Sequence, residues 1–452
     1  MSLVLVGLHT DVLSTSGFSD NTSFYVYAAF ANVVLAYGME TAFFRFFNKE
    51  KENQKVFSTV FISLMITTLI FFIITFICSE QISLWLKISE QRLQILLGVT
   101  TLDTMIISAF VLYRIQGKAL KFAFFKILSI AVYGLLNFFF LSTVPNYDID
   151  LPGWLQHPKV IYIFISNLIA SGLVFLLVLP TYFKHSLKFD QNLLKRMFQY
   201  SLPIMISGIA FMINENLDKL ILREFLGKNV MGAYSGCYKL TVFLTLFIQA
   251  FRMGVEPLIF NQAKADNAKD TYAIVLKFFV IFASLGFLTV IAFLDIFKVI
   301  LIRDESYWFA INIVPVVLLA NLCLGIYHSL SVWYKVTDRT KYGMYISIFG
   351  ATITIIINYI FVPKYGFMAA AYATLIAYGS MMFISYFLGQ HFYKIPYNIQ
   401  RLSSYIISSL VLSALCLYLL PKVIIVKVIA ILVYLGIIVI FEKNSIKAIL
   451  KR

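Results

Sequence analysis

Charge is scarce in this chain. Of its 452 residues only 13% are Asp, Glu, Lys or Arg, while 60% are hydrophobic. A water-soluble domain usually carries about 25% charged residues, so the deficit excludes an ordinary soluble enzyme. Cysteine is also sparse. Cys78, Cys237, Cys323 and Cys416 lie within or at the ends of apolar runs and read as small core residues, neither a disulfide frame nor a zinc site. The histidines, His9, His157, His185, His328 and His391, are scattered without metal-ligand spacing. No nucleophile motif and no phosphate-binding glycine loop occurs. The opening MSLVLVGLHT lacks the basic start and the length of a signal peptide. Loops are short and leave no room for an extramembrane catalytic domain. One acidic pair, Asp148 and Asp150, lies in a loop. Two such carboxylates can hold a metal or sugar phosphate in a membrane glycosyltransferase, but a solvated acidic loop is the stronger reading.

What fills the chain is apolar sequence. Runs of about 20 apolar residues recur from end to end, the signature of an α-helical membrane protein. Inside lipid the backbone polar groups must bond within their own segment, so the runs are helices. About thirteen are predicted, at 23–47, 56–78, 93–113, 121–143, 158–183, 197–221, 231–260, 271–294, 307–333, 342–361, 367–389, 401–420 and 423–441. The loops 48–55, 113–121, 183–196 and 334–341 and the tail 442–452 are rich in Lys and Arg, whereas 143–157 has two Asp and neither base. The first group, with the C-terminus, therefore faces the cytoplasm. The same bias accounts for the net charge of +15 without nucleic acid.

Fragments of the chain recur. Gly38-Met39-Glu40 matches Gly254-Val255-Glu256 at an offset of 216; Tyr113 to Lys118 matches Tyr334 to Arg339, and Asn137-Phe138 matches Asn358-Tyr359, both at 221. Two parallel copies of one helical bundle follow, a transporter signature. A full helix, 197–221, precedes the Glu-bearing helix of the second copy; in the first copy only Leu3 to Leu8 stands in that place. The first helix of a fourteen-helix plan is thus expected to be missing. The expected organisation is an N-terminal bundle over 1–196, a C-terminal bundle over 197–390, and two extra helices with a basic tail over 391–452. The two six-helix bundles are expected to enclose a central cavity.

Charges inside membrane helices carry the functional information, because they are costly there. Thr245, Gln249, Arg252 and Glu256 are spaced by four, three and four, which places them on one helical face. An Arg near a helix centre costs about 2.5–3.5 kcal/mol on insertion scales. Either an internal pair with Glu256 offsets that cost, or Arg252 binds an anion in a cavity. The repeat favours cargo: the counterpart of Glu256 is Glu40, but that of Arg252 is Ala36. Glu40 and Glu256 are expected to tie their helices to Arg114 and Lys118, and to Lys335 and Arg339, as buried structural pairs. Arg45 serves as an interfacial anchor or guards a cavity mouth. Lys126, Lys239 and Lys277 line a cationic lumen, snorkel or pair. Asp103 stands alone in its helix as a proton or sodium site, or hydrogen-bonds to a neighbouring Ser or Thr. Glu215 and Asp218, beside Lys219, are further ion-coupling candidates.

These residues also carry a family resemblance. AYGMETAFFRFF resembles the end of the second helix of polysaccharide flippases in the multidrug/oligosaccharidyl-lipid/polysaccharide exporter superfamily. LDKLILREFLG is similar to the end of their seventh helix, and YRIQGKALKF to the loop between their fourth and fifth. The resemblance implies an O-antigen or capsule flippase of the Wzx type with fourteen helices in two lobes. Such a protein moves an undecaprenyl-pyrophosphate-linked oligosaccharide across the cytoplasmic membrane, needs no cofactor, and works beside a polysaccharide polymerase and a chain-length regulator. Related lipid II flippases use cavity arginines on their first and eighth helices, and Arg252 falls on the eighth in family counting. A drug/cation antiporter of the same fold would instead have a cavity dominated by carboxylates. A membrane polymerase, ligase or glycosyltransferase would need a large external loop.

Overall fold

In a computed structural model of the chain the described residues are 5–47, 53–153, 156, 158–184, 188–262, 265–419 and 423–443; at 256–258, 260–262 and 419 only the backbone is described. All regular elements among them are helical, and thirteen helices are long and apolar enough to cross a membrane. The chain divides into two compact units, Met1–Leu220 and Ile221–Arg452.

The first unit begins with α1 (Val6–Val12), α2 (Thr15–Ala36) and α3 (Met39–Phe47). It continues with α4 (Asn53–Ile77), α5 (Ser79–Leu86), α6 (Glu90–Ile115), α7 (Ala119–Phe138), the short α8 (Val144–Asn146), α9 (Lys159–Phe183) and α10 (Gln191–Leu226), whose last turns pass into the second unit. The division falls inside α10.

The first span starts at Thr15, well before the predicted residue 23. The reason is a polar run, Ser19 to Ser23, that depresses hydropathy yet is buried in protein; within it Asp20 meets Arg92 of α6 at 2.7 Å. Ser14 caps α2 by accepting the Gly17 N–H at 3.2 Å. The helix ends where Tyr37 and Gly38 both turn left-handed, at φ 30° and 72°. Glycine is required at the second position: a Cβ on Gly38 would lie 2.6 Å from the Ser201 carbonyl oxygen of α10.

The second unit runs α11 (Lys228–Tyr238), α12 (Val242–Gln262), α13 (Ala268–Ala292), α14 (Leu294–Leu301), α15 (Ile313–Leu330), α16 (Val332–Val336), α17 (Lys341–Tyr365), α18 (Phe367–Phe392), α19 (Ile399–Ala414) and α20 (Ile424–Phe441). Large side chains such as Trp333, Tyr378 and Met381 fill its interior. Isoleucines along α4 and α20 stay exposed, the pattern of faces that meet lipid.

The repeat is visible in backbone detail. After α6, Gly117 is left-handed at φ 69° and the Lys118 N–H donates to the Tyr113 carbonyl at 2.8 Å. After α16, Asp338 is left-handed at φ 55° and the Arg339 N–H donates to the Tyr334 carbonyl, also at 2.8 Å. Both are helix-terminating turns of the Schellman kind. On the helix that follows each, an Asn bonds back to the preceding turn: Asn137 Nδ2 to the Tyr133 carbonyl at 2.7 Å, and Asn358 Nδ2 to the Thr354 carbonyl at 2.8 Å.

The last two spans are fastened to α13 and α14 by charge. Lys277 Nζ lies 2.6 Å from Glu442 Oε2, and the Tyr405 hydroxyl donates to Glu442 Oε1 at 2.9 Å. Of the three expectations for Lys277, lining a cationic lumen, snorkelling or pairing, the structure shows pairing. Glu442 is 3% exposed. Asp295, just outside the spans, meets Lys298 at 2.9 Å and Lys427 at 3.2 Å. The hydrogen bond from Lys298, aided by Lys427, holds its carboxyl below the usual carboxylate range.

Candidate functional site

Within the first unit, α2, α3, α6, α7 and α9 surround a cavity of about 480 Å³. Its wall is polar for a site among membrane helices. Asn32 comes from α2, Asp103 from α6, Lys126 and Ser129 from α7, and Asn167 and Ser171 from α9. The apolar part of the wall includes Ile106, Phe110 and Val174. A carboxylate in such a place needs a partner, and the Ser171 hydroxyl donates to Asp103 Oδ1 at 2.7 Å. Lys126, in the same wall, sits 5.1 Å from the Phe110 ring centre. Asn32 Oδ1 is buried and has no hydrogen-bond partner among the described residues. Such an acceptor calls for a donor from water or a ligand.

One end of this cavity is bridged by Arg114 Nη1 and Glu40 Oε1 at 2.6 Å. Lys118, the alternative partner, instead donates to Gln116 Oε1 at 2.8 Å. The bridge is not the buried pair expected from sequence, since the two side chains are 44% and 50% exposed. A half-exposed pair contributes roughly 0–1 kcal/mol. Glu40→Gln should therefore shift thermal stability by less than about 1 kcal/mol, and a Glu40→Arg, Arg114→Glu exchange should restore most of what is lost. A larger loss in unfolding scans would mean that Glu40 holds more than Arg114.

Polar side chains continue along α7. Lys126, Ser129, Tyr133 and Asn137 recur every three or four residues, so they share one face. The Tyr133 hydroxyl bonds that of Tyr25 at 3.0 Å, and His9 Nε2 bonds Asn137 Oδ1 at 2.9 Å. The charged members of this wall stood out in the sequence. Asn32, Ser129, Asn167 and Ser171 did not, although the three-and-four spacing of polar residues on α7 was a usable signal.

The second unit presents a different arrangement. On α12, Thr245 is held by Asn321 of α15, whose Nδ2 lies 3.3 Å from both Thr241 and Thr245 hydroxyls. Gln249 and Arg252 are exposed. Arg252 lines a recess of about 20 Å³ together with Phe251, Gly325, His328, Ser329 and Lys335. Among the described residues no hydrogen bond or ion pair engages the Arg252 guanidinium. The Glu256 side chain lies outside the described residues. His328, unremarkable in the sequence, is brought beside two fixed cations by α15, and Lys335 follows it on α16. A planar guanidinium with an ammonium nearby suits a phosphate-type anion.

The other predicted residues lie elsewhere. Arg339 stacks over Phe392 at 4.3 Å and Arg45 over Tyr200 at 4.2 Å. Lys239 is half-buried in the turn Lys239–Thr241 between α11 and α12. Lys219 Nζ meets Asp218 Oδ1 at 3.1 Å and the Glu215 main-chain carbonyl at 2.5 Å, so of the two ion-coupling candidates on α10 it is the Asp218 carboxylate that this ammonium pairs with.

Comparison with known proteins follows this geometry. A family model described as polysaccharide biosynthesis protein matches residues 1–262, and one described as MatE matches residues 203–360. No curated protein matches the chain significantly. Among solved structures, the lipid II flippase MurJ in an inward closed conformation is 18% identical, with 98% of each chain covered and a TM-score of 0.75. An inward-facing multidrug resistance MATE family transporter of the MOP superfamily is 13% identical, covering 89% of this chain and 94% of the other, with a TM-score of 0.68. A MOP superfamily transporter from Pyrococcus furiosus is 14% identical over 89% of this chain and 94% of its own, with a TM-score of 0.61. At these identities the structural likeness is one of fold. The family match spans more than half of the sequence, and this chain belongs to the polysaccharide biosynthesis protein family of the multidrug/oligosaccharidyl-lipid/polysaccharide exporter superfamily, as a multi-pass helical membrane protein with the superfamily's flippase and transporter fold.

Proposed function

We propose that the chain is a transporter, not an enzyme, that carries an undecaprenyl-diphosphate-linked oligosaccharide from the cytoplasmic to the external leaflet of the cytoplasmic membrane. The cargo is a repeat unit of O-antigen, capsule or exopolysaccharide, and the C-terminus faces the cytoplasm. The observation that carries this reading is the Arg252 guanidinium, unengaged among the described residues, on a recess shared with His328 and Lys335. A diphosphate headgroup needs fixed cations in a site of low dielectric. Thr245 and Gln249 precede Arg252 on its helix, and Lys239 lies in the turn just before that helix. The polar wall of Asn32, Ser129, Asn167 and Lys126 offers hydroxyl-binding groups for the glycan. Alternating exposure of such groups to the two leaflets completes the cycle. A polymerase and a chain-length regulator would receive the product outside.

Asp103 is the coupling residue of this reading, because it is a membrane-embedded carboxylate on the cavity wall, within reach of Ser171 and facing the same space as Lys126. Asp103→Asn should keep its expression level but lose the dependence of transport on a proton or sodium gradient. Transport by the variant that still follows either gradient would move the role to Asp218 or Glu215.

Deleting the chain tests the main proposal. Lipid-linked repeat units should accumulate on the cytoplasmic leaflet while susceptibility to cationic drugs stays unchanged. The second reading, a drug/cation antiporter, draws on the MatE match over 203–360 and on Asp103. Normal surface polysaccharide with raised drug susceptibility would put it first.

A further inference from the structure

The first unit holds a second, larger space that neither cargo charges nor coupling groups explain. It is a groove of about 950 Å³ between α2, α4 and α10. Its floor is apolar: Leu35 from α2, Ile66 and Phe71 from α4, Phe198 and Met205 from α10. The hydroxyls along it are already satisfied. Tyr37 bonds Ser63, and Thr67 donates to the Ser63 carbonyl at 2.9 Å. At one end the character changes. Gln191, Asn192 and Lys195, all exposed, form a polar mouth on the first turns of α10. Among the described residues the Lys195 ammonium has no hydrogen bond or ion pair.

The close approach of α10 to Gly38 fixes this groove. The Ser201 carbonyl presses where the helix break leaves no Cβ, and the groove opens beside that crossing. From Gln191 to Met205 it follows α10 for about 21 Å at 1.5 Å per residue. A hydrocarbon core is about 30 Å thick, so a groove of this length reaches from the interface well into the core. The mouth adjoins the basic segment 183–196, the cytoplasmic side by its charge.

A long apolar cleft with a cation and two amides at one end matches a molecule with a single hydrocarbon chain and an anionic head. We propose that this groove seats the isoprenoid tail of a polyprenyl-diphosphate-linked cargo as it enters from the cytoplasmic leaflet, with Lys195 at the diphosphate. The proposal rests on the flippase reading for its cargo, but not on Arg252 or Asp103. One cleft between three helices takes one branched chain, whereas a phospholipid brings two. The Lys195 ammonium at the mouth complements the doubly charged linkage better than a zwitterionic head.

The test uses the purified full chain in detergent with undecaprenyl diphosphate as probe and phosphatidylglycerol as competitor, read by native mass spectrometry. Val34→Trp and Ile66→Trp fill the groove from positions that are already 47% exposed, so the fold should tolerate them. Each is expected to weaken retention of the probe by about tenfold or more. Lys195→Ala should weaken it several-fold, and Ile77→Trp, on the same helix as Ile66 but outside the groove, should behave as wild type. Groove variants with wild-type unfolding curves and undiminished retention would overturn the assignment. So would displacement of the probe by an equal concentration of phosphatidylglycerol. Failure of the wild-type chain to retain the probe at all would overturn the flippase reading with it. Groove-dependent retention by a chain whose deletion leaves export intact would overturn that reading alone.

Discussion

Arg252→Ala is expected to reach the membrane at wild-type level and to abolish export of surface polysaccharide. Removing the guanidinium takes away a group that costs about 2.5–3.5 kcal/mol to insert, so folding has nothing to lose at this position. The guanidinium makes no ion pair or hydrogen bond among the described residues that its removal would orphan. Cargo binding does have something to lose. A hydrogen bond to a charged group contributes about 1.5–3 kcal/mol, which corresponds to about a ten- to hundredfold drop in transport rate for each one missing. Arg252→Lys keeps the charge without the bidentate fork and should fall between the two. The measurement is the leaflet distribution of the lipid-linked precursor in cells that still synthesise it. Normal export by well-expressed Arg252→Ala protein would remove Arg252 from the site and leave Lys126 and Lys239 as the cations to examine.

Lys277→Met should be the most destabilising of the charge substitutions. It removes the ammonium at 2.6 Å from Glu442, which is 3% exposed, and leaves the Tyr405 hydroxyl at 2.9 Å and the more distant Arg401 guanidinium at 3.9 Å. Breaking one side of a buried pair typically costs about 3–5 kcal/mol. Adding Glu442→Leu to Lys277→Met should recover most of the loss, since an apolar pair of similar volume is often as stable as the ion pair it replaces. Thermal unfolding of the three proteins in detergent gives the comparison. A single-variant loss below about 1 kcal/mol would show that the Lys277–Glu442 contact does not fasten the last span.

The helices were legible from composition because lipid demands apolar side chains and closed backbone hydrogen bonding over a whole span. The exception is instructive. Ser19 to Thr22 fall before the first predicted span because hydropathy reports which residues face lipid, and this stretch faces protein. The break at Tyr37 and Gly38 left no sign in hydropathy either; the distant carbonyl of Ser201 leaves no room for a Cβ there. At the sites, embedded charges were legible one at a time, since each is costly enough to need a reason. Their company was not. Asn32, Asn167 and Ser171 are uncharged and common in membrane helices, and Glu442 lies far along the chain from Lys277. The repeat was legible as a few short matches, of which the Tyr113 and Tyr334 segments proved the most informative.

Those two segments bear on ancestry. Gly117 and Asp338 occupy the same left-handed place in turns closed by the same backbone hydrogen bond. Asp is among the few residues with a side chain that tolerate this conformation. If the halves descend from one duplicated gene, the main-chain joint has outlasted the residue that first made it. Selection acting on such a joint is blind to side-chain identity so long as the backbone can bend. The joint is then a heritable unit in its own right, older than the differences between the two cavities that now flank it.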